Sequence, residues 1–231
     1  MPTPPIKQLN HLNRRIINCR HCPRLVKWRE KVARERVARF HDETYWGKPV
    51  AGFGDPNPRL LIVGLAPAAH GANRTGRMFT GDKSGEWLYG TLHKFQFASR
   101  PTSSSADDGL KLDDCYITAV VRCAPPANKP TRDEIGNCQP YLLDELKMFE
   151  NLRVIVALGR IAFIWTIDSL EKLGIMGNDR HPEFTHGGRL QINERLSLIT
   201  SYHPSQQNTF TGKLTHYMFD SIFRSARDLL S

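Results

Sequence analysis

The chain has 231 residues, 40% hydrophobic and 24% charged, with a formal net charge of +9 at neutral pH. That length suits one large α/β domain or two small ones, with enough apolar residues for a core without disulfide staples. No apolar run nears the roughly 18 residues of a membrane span, MPTPPIKQLN lacks the apolar core of a signal peptide, and the excess of 32 Lys and Arg over 23 Asp and Glu favours a polyanionic partner.

In chain order, IKQLNHLNRRIINCRHC predicts a short helix ending at a cysteine pair, and PRLVKWREKVARERVARF predicts a second, strongly basic helix. Residues 41–58, HDETYWGKPVAGFGDPNP, read as a loop punctuated by Gly and Pro. LLIVGLAP then reads as a buried strand, and CYITAVVRCAPP, RVIVALG and LSLITSYHP resemble it. Runs this apolar and β-branched suit strands covered on both faces, as in a parallel sheet. Helical patterns lie between them. GEWLYGTLHKFQF places Trp87, Leu88, Leu92 and Phe95 on one stripe, and Thr131 with Glu134 forms a capping box ahead of Leu142, Leu146 and Phe149. GRIAFIWTIDSLEKL and KLTHYMFDSIFRSARDLL supply two more helices, and SRPTSSSADDGLKLDD is a polar loop. Alternating strands and helices predict a doubly wound α/β domain, in which ligands bind at the carboxyl ends of the strands. Each strand exits into a distinctive loop there: GLAPAAHG, RCAPPANKP, ALGR and SYHPSQQN.

Five cysteines in a chain expected to be cytoplasmic argue against a disulfide framework. Cys19 and Cys22 form a C-x-x-C pair that can point two sulfurs at one metal or cluster. Cys123 and Cys138 have fourteen residues between them. Structural zinc favours two tight pairs, whereas iron–sulfur clusters accept scattered cysteines, so spacing leaves both open. Cys115, opening a strand, reads as an inert core thiol.

The stretch GLAPAAHGANRTGRMFTGDKSG, residues 64–85, follows the first strand. It is no Walker A loop, because Arg77 and Met78 stand where Lys and Ser or Thr are needed. It is no GxGxxG motif either, because Leu65 and Ala66 follow Gly64. An anion nest, or a pocket where backbone approaches a flat ligand, remains.

GLAPAAHGANRTGRMFTGD closely resembles the first motif of the family 5 (type B) uracil-DNA glycosylases. RCAPPANKPT resembles their second conserved region, SYHPSQQN their third, and YWGKPVAGFGDP the loop before their first strand. Many members read GLAPGAH where this chain has Ala68. The cysteine spacing is similar to the family's [4Fe-4S] pattern. The resemblance implies a three-layer αβα sandwich around a four-stranded parallel sheet, spanning residues 1–231 as a single domain. In it, helices at about residues 6–40 are tied to the core by a [4Fe-4S] cluster on Cys19, Cys22, Cys123 and Cys138. It implies a monomeric monofunctional glycosylase acting on uracil, and also hypoxanthine or xanthine, in double- or single-stranded DNA during base excision repair, in the cytoplasm at the nucleoid.

Such an enzyme must flip its target base out of the stack. Phe79 is the expected stacking platform, and Asn128 can meet an imide edge with its donor and acceptor. His203 is expected to donate to the base oxygen as charge develops. Related glycosylase families carry Asp, Asn or Glu at the third position of the first motif. Here that position is Ala66, which shifts attention to Asp82 as water activator or electrostatic partner of the cation, in competition with a helix N-cap. Gly64, Ala66, His70 and Asn73 are expected at the base or sugar. Arg74, Arg77 and Lys213 are expected at phosphates, and the SYHPSQQNTFTGK loop in the minor groove. A uracil-specific family 4 enzyme would have an acidic residue in place of Ala66. A non-catalytic iron–sulfur nucleic-acid-binding module would not need Asp82, Asn128 and His203 together.

Overall fold

A computed structural model of the protein describes residues 5–177 and 182–231. Two helices open it, α1 (Pro5–Ile17) and α2 (Pro23–Glu35), followed by a 3₁₀ turn at Ala38–Phe40. Pro23 occupies the first turn of α2 with Cys22 as its N-cap, where proline's missing N–H is no loss. Four parallel strands follow at the expected places: β2 (Leu60–Gly64), β3 (Cys115–Ala119), β4 (Val154–Leu158) and β6 (Ser197–Ser201), every residue of them buried. They lie side by side in the order β3-β2-β4-β6.

The sheet is wider than the expected four strands. β1 (Phe53–Gly54) and β5 (Arg189–Gln191) add antiparallel edges, giving β1-β3-β2-β4-β6-β5. Two and three residues are too few to establish a periodicity, and β5 is largely exposed.

Alternation along the strands feeds two cores. Leu61 and Val63 face one cluster with Leu12 and Ile16 of α1, Leu25 of α2, and residues of α5 (Arg132–Met148) and α6 (Arg160–Lys172). Leu60 and Ile62 face the other, with Leu88 and Leu92 of α4 (Lys83–Lys94) and Phe219 and Phe223 of α8 (His216–Asp228). Trp87 and Phe95, on the expected stripe of α4, pack partly buried against that second cluster. This arrangement is the αβα sandwich. The capping box of α5 is complete, with Glu134 N–H donating to Thr131 Oγ1 at 3.2 Å and Thr131 N–H to Glu134 Oε2 at 2.8 Å. Arg24 on α2 also grips Glu134, at 2.8 and 2.6 Å, so one carboxylate serves a helix start and a tie to the N-terminal helices. Short helices α3 (Ala72–Thr75) and α7 (Gln206–Phe210) interrupt the loops after β2 and β6. Among the described residues, no helix is long and apolar enough to cross a membrane.

Candidate active site

The carboxyl ends of the four parallel strands bring the distinctive loops to one edge. Gly64 closes β2 and is buried; a Cβ there would come within 3.0 Å of the Phe79 ring. The side-chain-free backbone at Gly64 therefore lets that ring lie against the strand end. Phe79 itself has φ +53, a left-handed conformation uncommon for a bulky residue and a sign of a functional constraint. Its ring stacks on His203 at 5.8 Å between centroids and 28° between planes. His203 leaves β6 and rests beside Gly159 at the end of β4. Its carbonyl accepts from Ser205 N–H at 2.8 Å and from Asn208 Nδ2 at 2.9 Å, so α7 anchors it. Burial pushes the imidazole down to about 4, so the ring is neutral at physiological pH and offers one N–H and one lone pair.

Asp82 is the N-cap of α4, its Oδ1 accepting from Gly85 N–H at 2.9 Å. Its Oδ2 lies over Gly71, so close that a Cβ on Gly71 would collide with it. Only a glycine permits that approach. Burial raises the carboxyl above its ordinary range, opposed by the Gly85 and Ser84 amides and the Arg74 charge. Capping occupies one oxygen, and burial, outweighing the cap bonds, leaves the carboxylate more basic than usual. Ala66 is half-buried and packs against the first core cluster; its methyl group activates no water.

Asn128 lies in the loop after β3, exposed, with φ +56, directly after Ala127 at φ +51. Two consecutive left-handed non-glycine residues hold this turn in a strained shape. The β3 exit is fixed to the first motif, because Val120 and Val121 N–H donate to Gly64 and Leu65 carbonyls, both at 3.0 Å. His70 is half-buried and meets Tyr45 Oη at 3.1 Å through Nδ1. Burial first, then Arg39 and Arg74, lower its pKa. Tyr45 comes from the Tyr-Trp-Gly loop, and its role had no signal in the sequence beyond that loop's resemblance.

Three expected contacts fall elsewhere. Asn73 is 0% exposed, and its amide donates to Arg29 O at 3.3 Å and Ala69 O at 3.4 Å, so it braces the loop from behind. Arg74 is buried, donating to the His70 and Gly81 carbonyls at 2.9 Å each and pairing with Glu43. Arg77 is buried and pairs with Asp108 at 2.6 Å, with further bonds to Thr80, Ser103 and Ala106. Both guanidiniums are consumed internally and are not free to meet phosphates. Their i to i+31 partners are invisible to local pattern reading. Lys213, by contrast, is exposed, its Nζ 4.8 Å from the Tyr202 ring centroid.

Behind this edge, Cys19, Cys22, Cys123 and Cys138 line one small cavity between the N-terminal helices and α5. Arg122 N–H donates to Cys138 Sγ at 3.3 Å, and Asn137 Nδ2 to Cys22 Sγ at 3.7 Å. Cys115 is buried in β3 apart from them. Arg122 itself, unremarked in the sequence reading, forms a fully buried pair with Glu145 at 2.6 Å, with Thr118 bonded to the same carboxylate oxygen.

The family model of the uracil DNA glycosylase superfamily matches residues 51–227. The chain belongs to that superfamily. It is 52% identical over 219 residues to a type-5 uracil-DNA glycosylase of Mycobacterium leprae, covering 94% of each chain. Identity to a Thermus thermophilus type-5 uracil-DNA glycosylase is 48% over 211 residues, 91% of this chain and 93% of that one. A type-4 uracil-DNA glycosylase of Pyrobaculum aerophilum is 29% identical over 202 residues, 85% of this chain and 83% of that one. The lower identity agrees with Ala66 in disfavouring a family 4 enzyme.

Proposed function

We propose that this protein is a monofunctional DNA glycosylase that hydrolyses the N-glycosidic bond of uracil, and of related deaminated bases, during base excision repair. The observation that carries the reading is the gathering of Phe79, Asp82, Asn128 and His203 on loops at one edge of the sheet, in a chain of this superfamily. A flipped base stacks on Phe79, which base–aromatic contact stabilises by roughly 1–3 kcal/mol. Asn128, exposed on its strained turn, faces the base edge or the nucleotide. As the bond to C1′ breaks, the sugar gains positive and the base negative charge, as in other glycoside hydrolyses. Neutral His203 donates a hydrogen bond to the base oxygen; no charged imidazolium is required. Asp82, through Oδ2, takes a proton from the water that attacks C1′ and offsets the cationic sugar, and its raised pKa makes it a better base. His70, oriented by Tyr45, lines the same edge.

With Arg74 and Arg77 engaged, exposed Lys129 and Lys213 are left to meet the backbone phosphates near the site. Phe210, 79% exposed at the end of α7, is the apolar side chain that fills the stack after the base leaves it.

A [4Fe-4S] cluster on Cys19, Cys22, Cys123 and Cys138 belongs to the same reading. Four sulfurs line one cavity, and the resemblance of the cysteine spacing to the family's pattern supports a polynuclear cluster there. Burial pushes the Cys123 and Cys138 thiols up to about 12, so they ionise only with a positive partner. When bound, the cluster supplies a crosslink from the N-terminal helices to α5, and no step of hydrolysis runs through it.

The test is incubation with oligonucleotides carrying uracil, hypoxanthine or xanthine, followed by alkaline cleavage of abasic sites. Strand cleavage at uracil is expected; no cleavage of any substrate refutes the reading.

A further inference from the structure

Four arginines are buried among the described residues: Arg29, Arg74, Arg77 and Arg122. Each has a carboxylate within ion-pair distance, Glu30, Glu43, Asp108 and Glu145 respectively. Arg29 has the most distant of these partners. It is 2% exposed, and the one carboxylate near it, Glu30, lies 3.9 Å away, is 41% exposed and is already held by Arg20. Arg29 Nη1 donates to Gly47 O at 2.7 Å and Nη2 to Cys19 O at 3.4 Å, while its Nε has no partner. A buried charge whose one opposite charge is this distant and shared is weakly compensated, so the site has room for a further anion.

The carbonyl that Arg29 Nη2 holds is that of Cys19. Arg29 thus holds the backbone of one of the four cysteines, while its side chain also lines a separate groove with Trp46 and Lys48. Four thiolates around an iron–sulfur core carry net negative charge, and buried charges of this kind set cluster potentials.

Arg29 also reaches the opposite way. Gly47, whose carbonyl it holds, donates its own N–H to Asn73 O at 3.0 Å, and Asn73 Nδ2 returns to Arg29 O at 3.3 Å. Asn73 sits in α3, next to Arg74, which clamps the His70 and Gly81 carbonyls. A closed ring of hydrogen bonds therefore joins the cysteine cavity to the stretch that carries Phe79 and Asp82.

We propose that Arg29 is the counter-charge of the cysteine-bound cluster and the positioning residue through which that cluster steadies the glycine-rich active-site stretch. This rests on the cluster reading above.

The test compares anaerobically purified wild type, Arg29→Lys and Arg29→Met. Iron and acid-labile sulfide are counted, and the cluster's midpoint potential and rate of iron release to a chelator are measured. A buried positive charge favours the reduced, more negative state. Arg29→Met is therefore expected to shift the potential to more negative values and to release iron several-fold faster, with Arg29→Lys close to wild type. A separate measurement needs no variant. Amide hydrogen exchange of residues 71–82 is followed before and after the cluster is stripped from wild type, with β2 to β4 as internal reference. Faster exchange confined to 71–82 and the N-terminal helices is expected. Iron-loaded wild type with an indifferent Arg29→Met and unchanged exchange at 71–82 overturns this inference alone. Wild type without iron or sulfide overturns the cluster reading and this inference with it.

Discussion

Asp82 performs two jobs that different substitutions separate. Its Oδ1 caps α4, and Oδ2 is held over Gly71. Asn is as good an N-cap as Asp, so Asp82→Asn should keep the melting temperature and lower the single-turnover rate by on the order of 10²-fold or more. Asp82→Ala should lose a similar rate and also about 1 kcal/mol of stability, read from denaturant unfolding. A wild-type rate in Asp82→Asn would confine Asp82 to capping. The raised carboxyl also fixes a sign. The rate should fall on acidification at a higher pH than an unperturbed carboxylate would give, and that acid limb should vanish in Asp82→Asn. His203 titrates the other way. Its folded pKa of about 4 lies below the ordinary 6.5, so the unfolded chain binds more protons between those values. This contribution to stability is complete above pH 6.5 and is lost progressively as pH falls towards 4. His203→Gln should flatten the pH dependence of the melting temperature across that window.

At the scale of elements, α7 is the piece that local pattern reading passed over. SYHPSQQN looked like a loop because Pro204 and a polar run mask a five-residue helix capped by Ser205. If Phe210 on it fills the stack, Phe210→Ala should slow excision of uracil from duplex DNA several-fold while leaving excision from single strands close to wild type. Equal loss on both substrates would remove the wedge role. The strands, by contrast, were legible because each is a fully buried β-branched run, and α5 because Thr131 and Glu134 announce its start. The candidate site was legible in Gly64, Phe79, Asp82 and His203, which sit in the loops that the sheet topology gathers. The fates of Asn73, Arg74 and Arg77 were not. Their partners, Arg29, Glu43 and Asp108, are 31 to 44 residues away, and a polar residue in a motif looks the same whether it braces the loop or touches a ligand.

On the scale of the whole molecule, the N-terminal helices are a separate layer joined to the rest through the cysteine cavity, the Arg24–Glu134 pair and apolar residues such as Leu12 and Ile16. On the proposed cluster reading, Cys22→Ser should therefore lower the melting temperature and abolish the brown colour near 400 nm expected of the wild type. A variant that loses iron yet melts like wild type would exclude a structural role for the cluster. The basic surface makes a further demand. Binding to uracil-containing DNA should weaken steeply and log-linearly with salt, and a flat dependence would contradict phosphate contacts by Lys129 and Lys213.

The two short antiparallel strands at the margins of the sheet have a bearing on how many copies of this protein can share one stretch of DNA. An unpaired sheet margin is a template for another chain. Here each margin is only two or three residues long, and β5 carries Arg189 outward in a largely exposed segment. Among the described residues, neighbouring copies crowded along a polyanion thus find only short margins to extend.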